Sequence, residues 1–243
     1  MRMRILGCGD AFGNGGRNQS AYLVEAAAGR LLLDCGPAAL LAMKRAGFDP
    51  CSLDLVVLSH LHGDHMGGLP FLFISYLYEK GPSGPLTIAG PPGTQARVVE
   101  LFRVMYGGGS APELPALRFC ELEPGRPTTF GGFEVLPFRV PHQVHEISLA
   151  LKIRGDDKTI LFSGDSAWTE LFVEHARGAD LFLCECSFYE RETANHMSYL
   201  RLSAEIARLG CKRVLLTHLG ADVLARRAEI ALPLAEDGMV VEI

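Results

Sequence analysis

The sequence of 243 residues carries 23 Lys and Arg against 28 Asp and Glu, for a formal net charge of −5. No Lys- or Arg-rich run is present, and this charge does not favour a large nucleic-acid partner, because binding to a phosphate backbone is driven by cationic surface. A hydrophobic content of 48% suffices for a large core, and no linker or internal repeat divides the chain, so we predict one domain over residues 1–243.

Short apolar runs that end in Gly, Pro, Asp or His predict strands along the whole chain. The predicted strands are Arg4–Gly7, Ala21–Val24, Arg30–Asp34, Leu55–Leu58, Leu86–Ala89, Leu117–Glu121, Phe133–Pro137, Ser148–Ile153, Thr159–Ser163, Leu181–Glu185, Arg213–Leu216 and Met239–Glu242. The predicted helices are Ala38–Ala46, Gly68–Glu79, Thr94–Tyr106, Thr169–His175, Ser198–Leu209 and Asp222–Ile230. Gly47 and Gly210 are expected as C-terminal caps, and Ser198 and Asp222 as N-caps. Early strands follow one another and later ones alternate with helices, which indicates an α/β fold.

The seven cysteines, an odd number without a C-x-x-C pair, are typical of reduced thiols in a cytoplasmic protein. The first residues lead directly into an apolar strand, without the apolar core of a signal peptide. The most apolar helical segment, Leu69 to Tyr78, is too short to span a bilayer, so we predict a cytoplasmic protein without a membrane partner. Because this segment is apolar on every face, we expect burial in the core, with a homodimer contact as the alternative.

A cluster of chemically active side chains follows the predicted strand Leu55–Leu58. The segment Ser59-His60-Leu61-His62-Gly63-Asp64-His65 contains three of the eight histidines of the chain and one aspartate. Isolated histidines are usually surface or satisfied core residues, but this density directly after a buried strand favours metal binding. His60 and His62 can converge on one ion, whereas Asp64 and His65 suit a second ion beside it.

The remaining ligands must come from distant segments, and three candidates each stand at the end of an apolar run: His142, Asp165 and His218. Together with the first segment they predict two ligand sets, namely His60, His62 and His142 on one ion and Asp64, His65 and His218 on the other. Asp165 is placed to bridge both ions. A carboxylate bridge holds two cations close together, as metal-assisted hydrolysis requires.

Two alternatives for the ligands remain open. His145 lies three positions after His142 and could replace it, and Cys184 with Cys186 could contribute thiolates instead of forming part of the core. His and Asp bind zinc, manganese and iron, so the prediction is two divalent ions, with zinc favoured.

The segment Leu58–Pro70 resembles the metal-binding motif of the metallo-β-lactamase superfamily and is most similar to its ribonuclease Z branch. The resemblance continues in segments along nearly the whole chain: Ile5–Ala11, Arg17–Ala21, Leu33–Gly36, Cys184–Phe188 and Asn195–Ser198. The resemblance implies a four-layer αββα sandwich and favours His142 over His145 as the metal ligand. It also implies that Asp34 supports the metal ligands. It further implies that Asp64 takes a proton from the attacking water and that His196, oriented by Glu185, protonates the leaving oxygen.

The chain departs from tRNA-processing members of that branch. The loop Gly13–Gly16 lacks the Pro and Lys that those enzymes show there, and the interval between His142 and Asp165 is too short for their tRNA-binding arm. The predicted function is therefore a dinuclear zinc phosphodiesterase for a small or flexible phosphodiester, such as a cyclic nucleotide or a short nucleic-acid end. The alternative is a lactone, ester or thioester hydrolase with the same site. A non-hydrolytic di-iron protein is less favoured, because His62-Gly63-Asp64 lacks the Glu of the H-x-E-x-D motif.

Overall fold

The computed structural model describes residues 1–27, 29–107 and 117–243. Its strands are β1 (Arg2–Gly7), β2 (Ala21–Ala26), β3 (Gly29–Leu33), β4 (Leu55–Val57), β5 (Leu86–Gly90), β6 (Leu117–Glu121), β7 (Thr128–Phe130), β8 (Phe133–Arg139), β9 (Leu149–Gly155), β10 (Lys158–Phe162), β11 (Leu181–Glu185), β12 (Val214–Thr217) and β13 (Val240–Glu242). The helices are α1 (Ala39–Arg45), α2 (Gly63–Met66), α3 (Leu69–Tyr78), α4 (Thr94–Tyr106), α5 (Leu171–Ala176), α6 (Tyr199–Leu209) and α7 (Ala221–Ala225).

The strands form two mixed sheets. The first has the order β13-β1-β2-β3-β4-β5-β6, and the second has the order β12-β11-β10-β9-β8-β7. In the first sheet the pairs from β13 to β3 are antiparallel and those from β3 to β6 are parallel. In the second sheet β10, β11 and β12 are parallel, and the hairpin strands from β7 to β10 are antiparallel. Strands that are parallel within one sheet end at the same edge, which places their terminal loops together.

Three hydrophobic layers follow from the alternation of side chains along each strand. In β3, Leu31 and Leu33 point into a core between the two sheets, whereas Leu32 points outward under helices α1, α3 and α4. On the far side, Leu161 and Phe182 of the second sheet pack with residues of α5, α6 and α7. Helices therefore cover both outer faces of a pair of facing sheets, and the predicted αββα sandwich is confirmed.

Most predicted elements are present, and three of the four predicted helix caps are confirmed. Ser198 is the N-cap of α6 and accepts a hydrogen bond from the amide of Arg201. Gly47 and Gly210 lie in the left-handed region after their helices, as predicted. Asp222, however, lies inside α7, whose N-cap is Gly220, and its carboxylate accepts hydrogen bonds from the amides of Tyr189 and Val223.

One further prediction was wrong, and one strand was not predicted. The helix Asp222–Ile230 ends at Ala225 and is followed by a 3-10 turn at Arg227–Glu229. The chain must extend there, because the backbone of Pro233 and Ala235 hydrogen bonds with Leu216 at the open edge of β12. Strand β7 was not predicted, since its three residues form only an edge strand.

Helix α3 differs from the expectation of burial on every side. Leu72, Phe73 and Tyr76 are buried against the first sheet, but Leu77 and Tyr78 are exposed on the outer side of the helix. An apolar surface at the end of this helix therefore faces solvent in the single chain. Within the described ranges, no helix combines the length and the apolarity needed to cross a membrane.

Candidate metal centre

The candidate ligands meet where strands of both sheets end. In the first sheet, β4 leads to His60, and in the second sheet β8, β10 and β12 lead to His142, Asp165 and His218. Helix α2 begins directly after His62 and carries Asp64 and His65 in its single turn. The topology thus brings together seven side chains that are far apart in the sequence, and all seven are residues that the sequence predicted.

The first group, which we call the histidine cluster, consists of His60, His62 and His142. His62 Nδ1 lies 3.1 Å from His60 Nε2 and 3.2 Å from His142 Nε2. Two nitrogen ligands of a tetrahedral zinc ion, at Zn–N distances of about 2.0–2.1 Å, are separated by about 3.3 Å. Three ring nitrogens at this spacing fit one zinc-sized ion.

The second group, the carboxylate cluster, consists of Asp64, His65, Asp165 and His218. His65 Nε2 lies 3.2 Å from Asp64 Oδ2 and 3.3 Å from Asp165 Oδ1. His218 Nε2 lies 3.4 Å from Oδ2 of each of the same two carboxylates. Two carboxylates and two imidazoles converge here on one point, which is a donor set that divalent ions prefer.

Asp165 faces both clusters. Its Oδ2 atom lies 3.9 Å from His60 Nε2 and 3.8 Å from His142 Nε2, and the same carboxylate contacts the two histidines of the carboxylate cluster. Asp165 Oδ1 and His65 Nε2 are buried and have no hydrogen-bond partner among the described residues. Buried polar atoms are normally paired, so this orphaned pair fits a site built for an ion.

Surrounding hydrogen bonds direct the free nitrogen of each ring inward. The carboxylate of Asp34 accepts a bond from His65 Nδ1 at 2.7 Å and from the Ser59 hydroxyl at 2.9 Å. Because the Ser59 hydroxyl directs its proton at Asp34, its oxygen accepts from His60 Nδ1 at 3.0 Å. His142 Nδ1 donates to the carbonyl oxygen of Asn195 at 2.8 Å. The rings of His60, His65 and His142 therefore carry the proton on Nδ1 and offer Nε2 as a ligand, whereas His62 turns Nδ1 toward the cluster.

The local electrostatics differ between the clusters. Burial lowers the pKa of His60 well below its usual value, and the neighbouring His65 acts in the same direction. Burial alone would also lower the pKa of His65, but the carboxylates beside it, Asp165 first, outweigh burial and raise that pKa. Burial is likewise outweighed at His218, where Asp165 and Asp64 raise the pKa to about 9. The carboxylate cluster thus stabilises positive charge, which a divalent ion supplies more strongly than a proton.

Two residues of the centre have an uncommon backbone conformation. Asp34 (φ 53°) and His218 (φ 52°) lie in the left-handed region, which residues other than glycine rarely adopt. Both are buried, and both side chains are held by hydrogen bonds within the centre. Strain of this kind persists where the surrounding structure fixes it, and it concentrates at functional sites.

A further histidine, His196, stands beside the two clusters. Its Nδ1 atom lies 3.0 Å from Glu185 Oε1 and 3.3 Å from the hydroxyl of Ser187. Glu185 is buried and is itself held by the Ser166 amide at 2.6 Å and by the Ser187 hydroxyl at 2.7 Å. Hydrogen bonding to Glu185 outweighs burial and raises the pKa of His196. His196 therefore retains a proton more readily than a free imidazole.

The positions of the side chains decide between the alternative metal ligands that the sequence left open. His145 is exposed and lies outside the histidine cluster, whereas His142 is one of its members. Cys184 and Cys186 are buried in the core under α5 and α6, and burial raises the pKa of both thiols. In the part of the chain that the structure describes, no potential metal-binding cluster contains a cysteine.

Sequence reasoning missed several residues that hold the centre. Ser187 links Glu185 to His218, and the amide nitrogen of Gln143 lies 2.8 Å from His62 Nε2. Gln143 directly follows His142, and Ser187 stands two positions after Glu185. Proximity in the sequence to a predicted site residue is the one signal that could have indicated them.

The αββα sandwich and its paired His and Asp clusters define a metal-dependent hydrolase of the metallo-β-lactamase superfamily. Over residues 1–232 the chain matches the family described as "Anti-Pycsar protein Apyc1", and it belongs to that family. The protein named "Probable metallo-hydrolase YhfI" of Bacillus subtilis (strain 168) is 29% identical over 230 residues, which cover 90% of this chain and 87% of that protein. The crystal structure of YhfI matches with a TM-score of 0.80 and 27% identity, over 99% of either chain.

Ribonuclease Z proteins are also among the relatives. The one from Agathobacter rectalis is 29% identical in an alignment that covers 85% of this chain and 83% of that protein. The short form of human tRNase Z has the same fold, with a TM-score of 0.81 at 22% identity over 100% of this chain and 99% of the human chain. The resemblance to the ribonuclease Z branch is thereby confirmed, and with it the assignment as a hydrolase.

Proposed function

We propose that this protein is a dinuclear zinc phosphodiesterase that hydrolyses a small or flexible phosphodiester. The observation that carries the proposal is the pair His196 and Glu185 beside the two clusters. A hydrolase of activated esters needs only a metal site, whereas cleavage of a phosphodiester with a poor leaving group gains from a positioned proton donor.

Each side chain of the centre has a proposed task. His60, His62 and His142 would hold one ion and Asp64, His65 and His218 the second, with Asp165 facing both sets. Divalent ions bound there would supply Lewis acidity, which polarises a phosphoryl oxygen and lowers the pKa of a bound water. Asp64 takes the proton of the attacking water at a carboxylate oxygen. His196 gives its proton to the leaving oxygen, while Glu185 keeps the ring in place through its bond to Nδ1.

The shape of the site favours a small substrate. His196 and five of the seven candidate ligands line a cavity of about 260 Å³, which suits a nucleotide-sized ligand rather than a folded RNA. Between His142 and Asp165 the chain forms only the β9–β10 hairpin, without a protruding arm. The net charge of −5 also disfavours a long phosphate backbone.

The proposal is tested on protein reconstituted with zinc. Elemental analysis should find up to two ions per chain, which chelation removes, and the loaded protein should hydrolyse bis(p-nitrophenyl) phosphate and cyclic nucleotides faster than lactones or thioesters. A sample that takes up neither zinc nor manganese contradicts the metal centre. Preference for a lactone or thioester would instead favour the alternative chemistry at the same site.

Precursor tRNA provides a test of substrate size. We expect cleavage at physiological salt to be far slower than by a ribonuclease Z that carries the tRNA-binding arm, because this chain lacks both the arm and a cationic run. The measurement compares both enzymes at equal concentration on one precursor, with bis(p-nitrophenyl) phosphate as the activity control. Comparable rates on the precursor would refute the restriction to small substrates.

A further inference from the structure

An aromatic ring stands free at the candidate active site. Phe12 lies in the loop after β1 and lines the same cavity as His62, Asp64 and His196. Its side chain is 86% exposed, more than any other large hydrophobic residue that the structure describes. Single exposed hydrophobic residues are common on protein surfaces, so exposure alone decides nothing.

The loop that carries Phe12 is held in place. Asp10, which is buried, accepts hydrogen bonds from the amide of Phe12 at 3.2 Å and from the amide of Asn14 at 3.1 Å. The side-chain amide of Asn14 donates a third bond to the same carboxylate at 2.6 Å. At its base, the loop pairs with the segment after β12, where the Leu219 amide donates to the Cys8 carbonyl at 3.1 Å. The backbone of Phe12 is thus anchored to the strand end that supplies His218.

An anchored, solvent-facing ring at the cavity suits contact with a flat, apolar part of a ligand. A second ring, Phe188, lines the same cavity and packs edge to face with His196 at 6.1 Å between centroids. Aromatic side chains stack on nucleobases with little dependence on base identity, because every base presents a π-face. Resting on the proposed phosphodiesterase function, we propose that Phe12 makes the site specific for nucleotides by stacking on the planar base that the sugar joins to the phosphoryl group.

The proposal is tested by binding rather than turnover, with two ligands that differ only in the base. Adenosine 5′-monophosphate and ribose 5-phosphate are titrated by calorimetry into the zinc-loaded full-length protein. The nucleotide should bind about 5- to 150-fold more tightly, the range that stacking of one base provides. Phe12→Ala should abolish most of this preference, whereas Phe12→Tyr, which keeps an aromatic ring, should retain it.

A matched control is available on α3. Tyr78 is 81% exposed and lies at the end of that helix, so Tyr78→Ala removes an exposed ring outside the cavity and should leave the preference for the nucleotide intact. Equal binding of the two ligands by the unmodified protein, or an undiminished preference in Phe12→Ala, would overturn the role of Phe12.

Activity measurements on the same samples distinguish this inference from the proposed function. The unmodified protein and each variant are also assayed with bis(p-nitrophenyl) phosphate. A preference for the nucleotide that depends on Phe12, without diester hydrolysis, would refute the phosphodiesterase and leave the stacking role in place. Diester hydrolysis without such a preference would refute the stacking role alone.

Discussion

The two clusters of the candidate centre differ in charge and in the strength of their support. The histidine cluster contains only imidazoles, and its contacts to Asn195 and Gln143 come from loops at the surface. The carboxylate cluster contains two acidic side chains and is backed by the buried carboxylate of Asp34. The histidine half is therefore neutral and is supported by surface loops and, at His60, by the Ser59 hydroxyl, whereas the other half is anionic and bonds to Asp34 directly.

This difference has a consequence for metal binding. Anionic ligands in a buried site attract a cation more strongly than neutral ones, because the low dielectric of the interior strengthens the interaction. The histidine cluster contains no carboxylate of its own and receives negative charge from Asp165 at His60 and from Asp64 and Asp165 at His62. We therefore expect the carboxylate cluster to bind its ion more tightly, and the histidine cluster to depend on Asp165.

The largest effect is expected from Asp165→Ala, since this side chain faces both clusters. Loss of the shared carboxylate should reduce bound zinc and lower turnover of every substrate by at least roughly 10⁴-fold, because each ion contributes several kcal/mol of charge stabilisation. Metal analysis and rates on bis(p-nitrophenyl) phosphate measure both changes. Asp180→Ala is the control, because Asp180 is also buried but pairs with Lys212 outside the centre. Full metal occupancy in Asp165→Ala would contradict the bridging role.

A different pattern is expected from His196→Ala, because His196 lies beside the clusters and is not required by either ligand set. Both ions should stay bound, while hydrolysis of diesters with poor leaving groups slows by about 10²–10⁴-fold. The loss should shrink for nitrophenyl esters, whose leaving group needs little proton assistance. His175→Ala serves as the control, since that ring stacks on Phe138 in the core layer under α5. Equal losses on good and poor leaving groups would exclude the proton-donor role.

The fold was predictable because it follows from local patterns. Apolar runs such as Leu55–Leu58 are long enough to identify buried strands, and their terminal His and Asp residues mark the edge at which loops meet. The predictions that failed concern features that tertiary contacts determine. The helix from Asp222 stops early because residues up to Ala235 cover the edge of β12, a requirement that no local pattern contains.

The centre was predictable only as far as its motifs extend. The density of chemically active side chains in one short segment identifies His60, His62, Asp64 and His65. The distant ligands are identified by their position after predicted strands. Ser187 and Gln143 carry no such signal, because polar loop residues are common and their role arises from distances that folding creates. The anchoring of Phe12 by Asp10 is invisible in the sequence for the same reason.

The smallest effects are expected from substituting residues that contact the candidate ligands without binding an ion. These substitutions test the expected difference in metal affinity between the two clusters. Asp34→Asn keeps a side chain of the same shape and tolerates the left-handed backbone, but it replaces the charged acceptor of His65 Nδ1. Affinity for the more tightly bound ion should fall by about 10- to 100-fold, the usual cost of losing such a partner. Gln143→Ala removes a contact of His62 at the surface and should weaken the other ion by less than about tenfold.

Titration of zinc-loaded protein with a competing chelator measures both affinities as two release steps, and thermal unfolding of each variant shows that the fold is retained. The more tightly bound ion is released in the later step, at the higher chelator concentration. If the carboxylate cluster binds this ion, Asp34→Asn should lower the chelator concentration of the later step, whereas Gln143→Ala should lower that of the earlier step. If Gln143→Ala weakened zinc binding more than Asp34→Asn, the enclosed carboxylate cluster would not be the stronger half. The ranking of the two clusters would then be reversed, because support from the loops would outweigh buried charge.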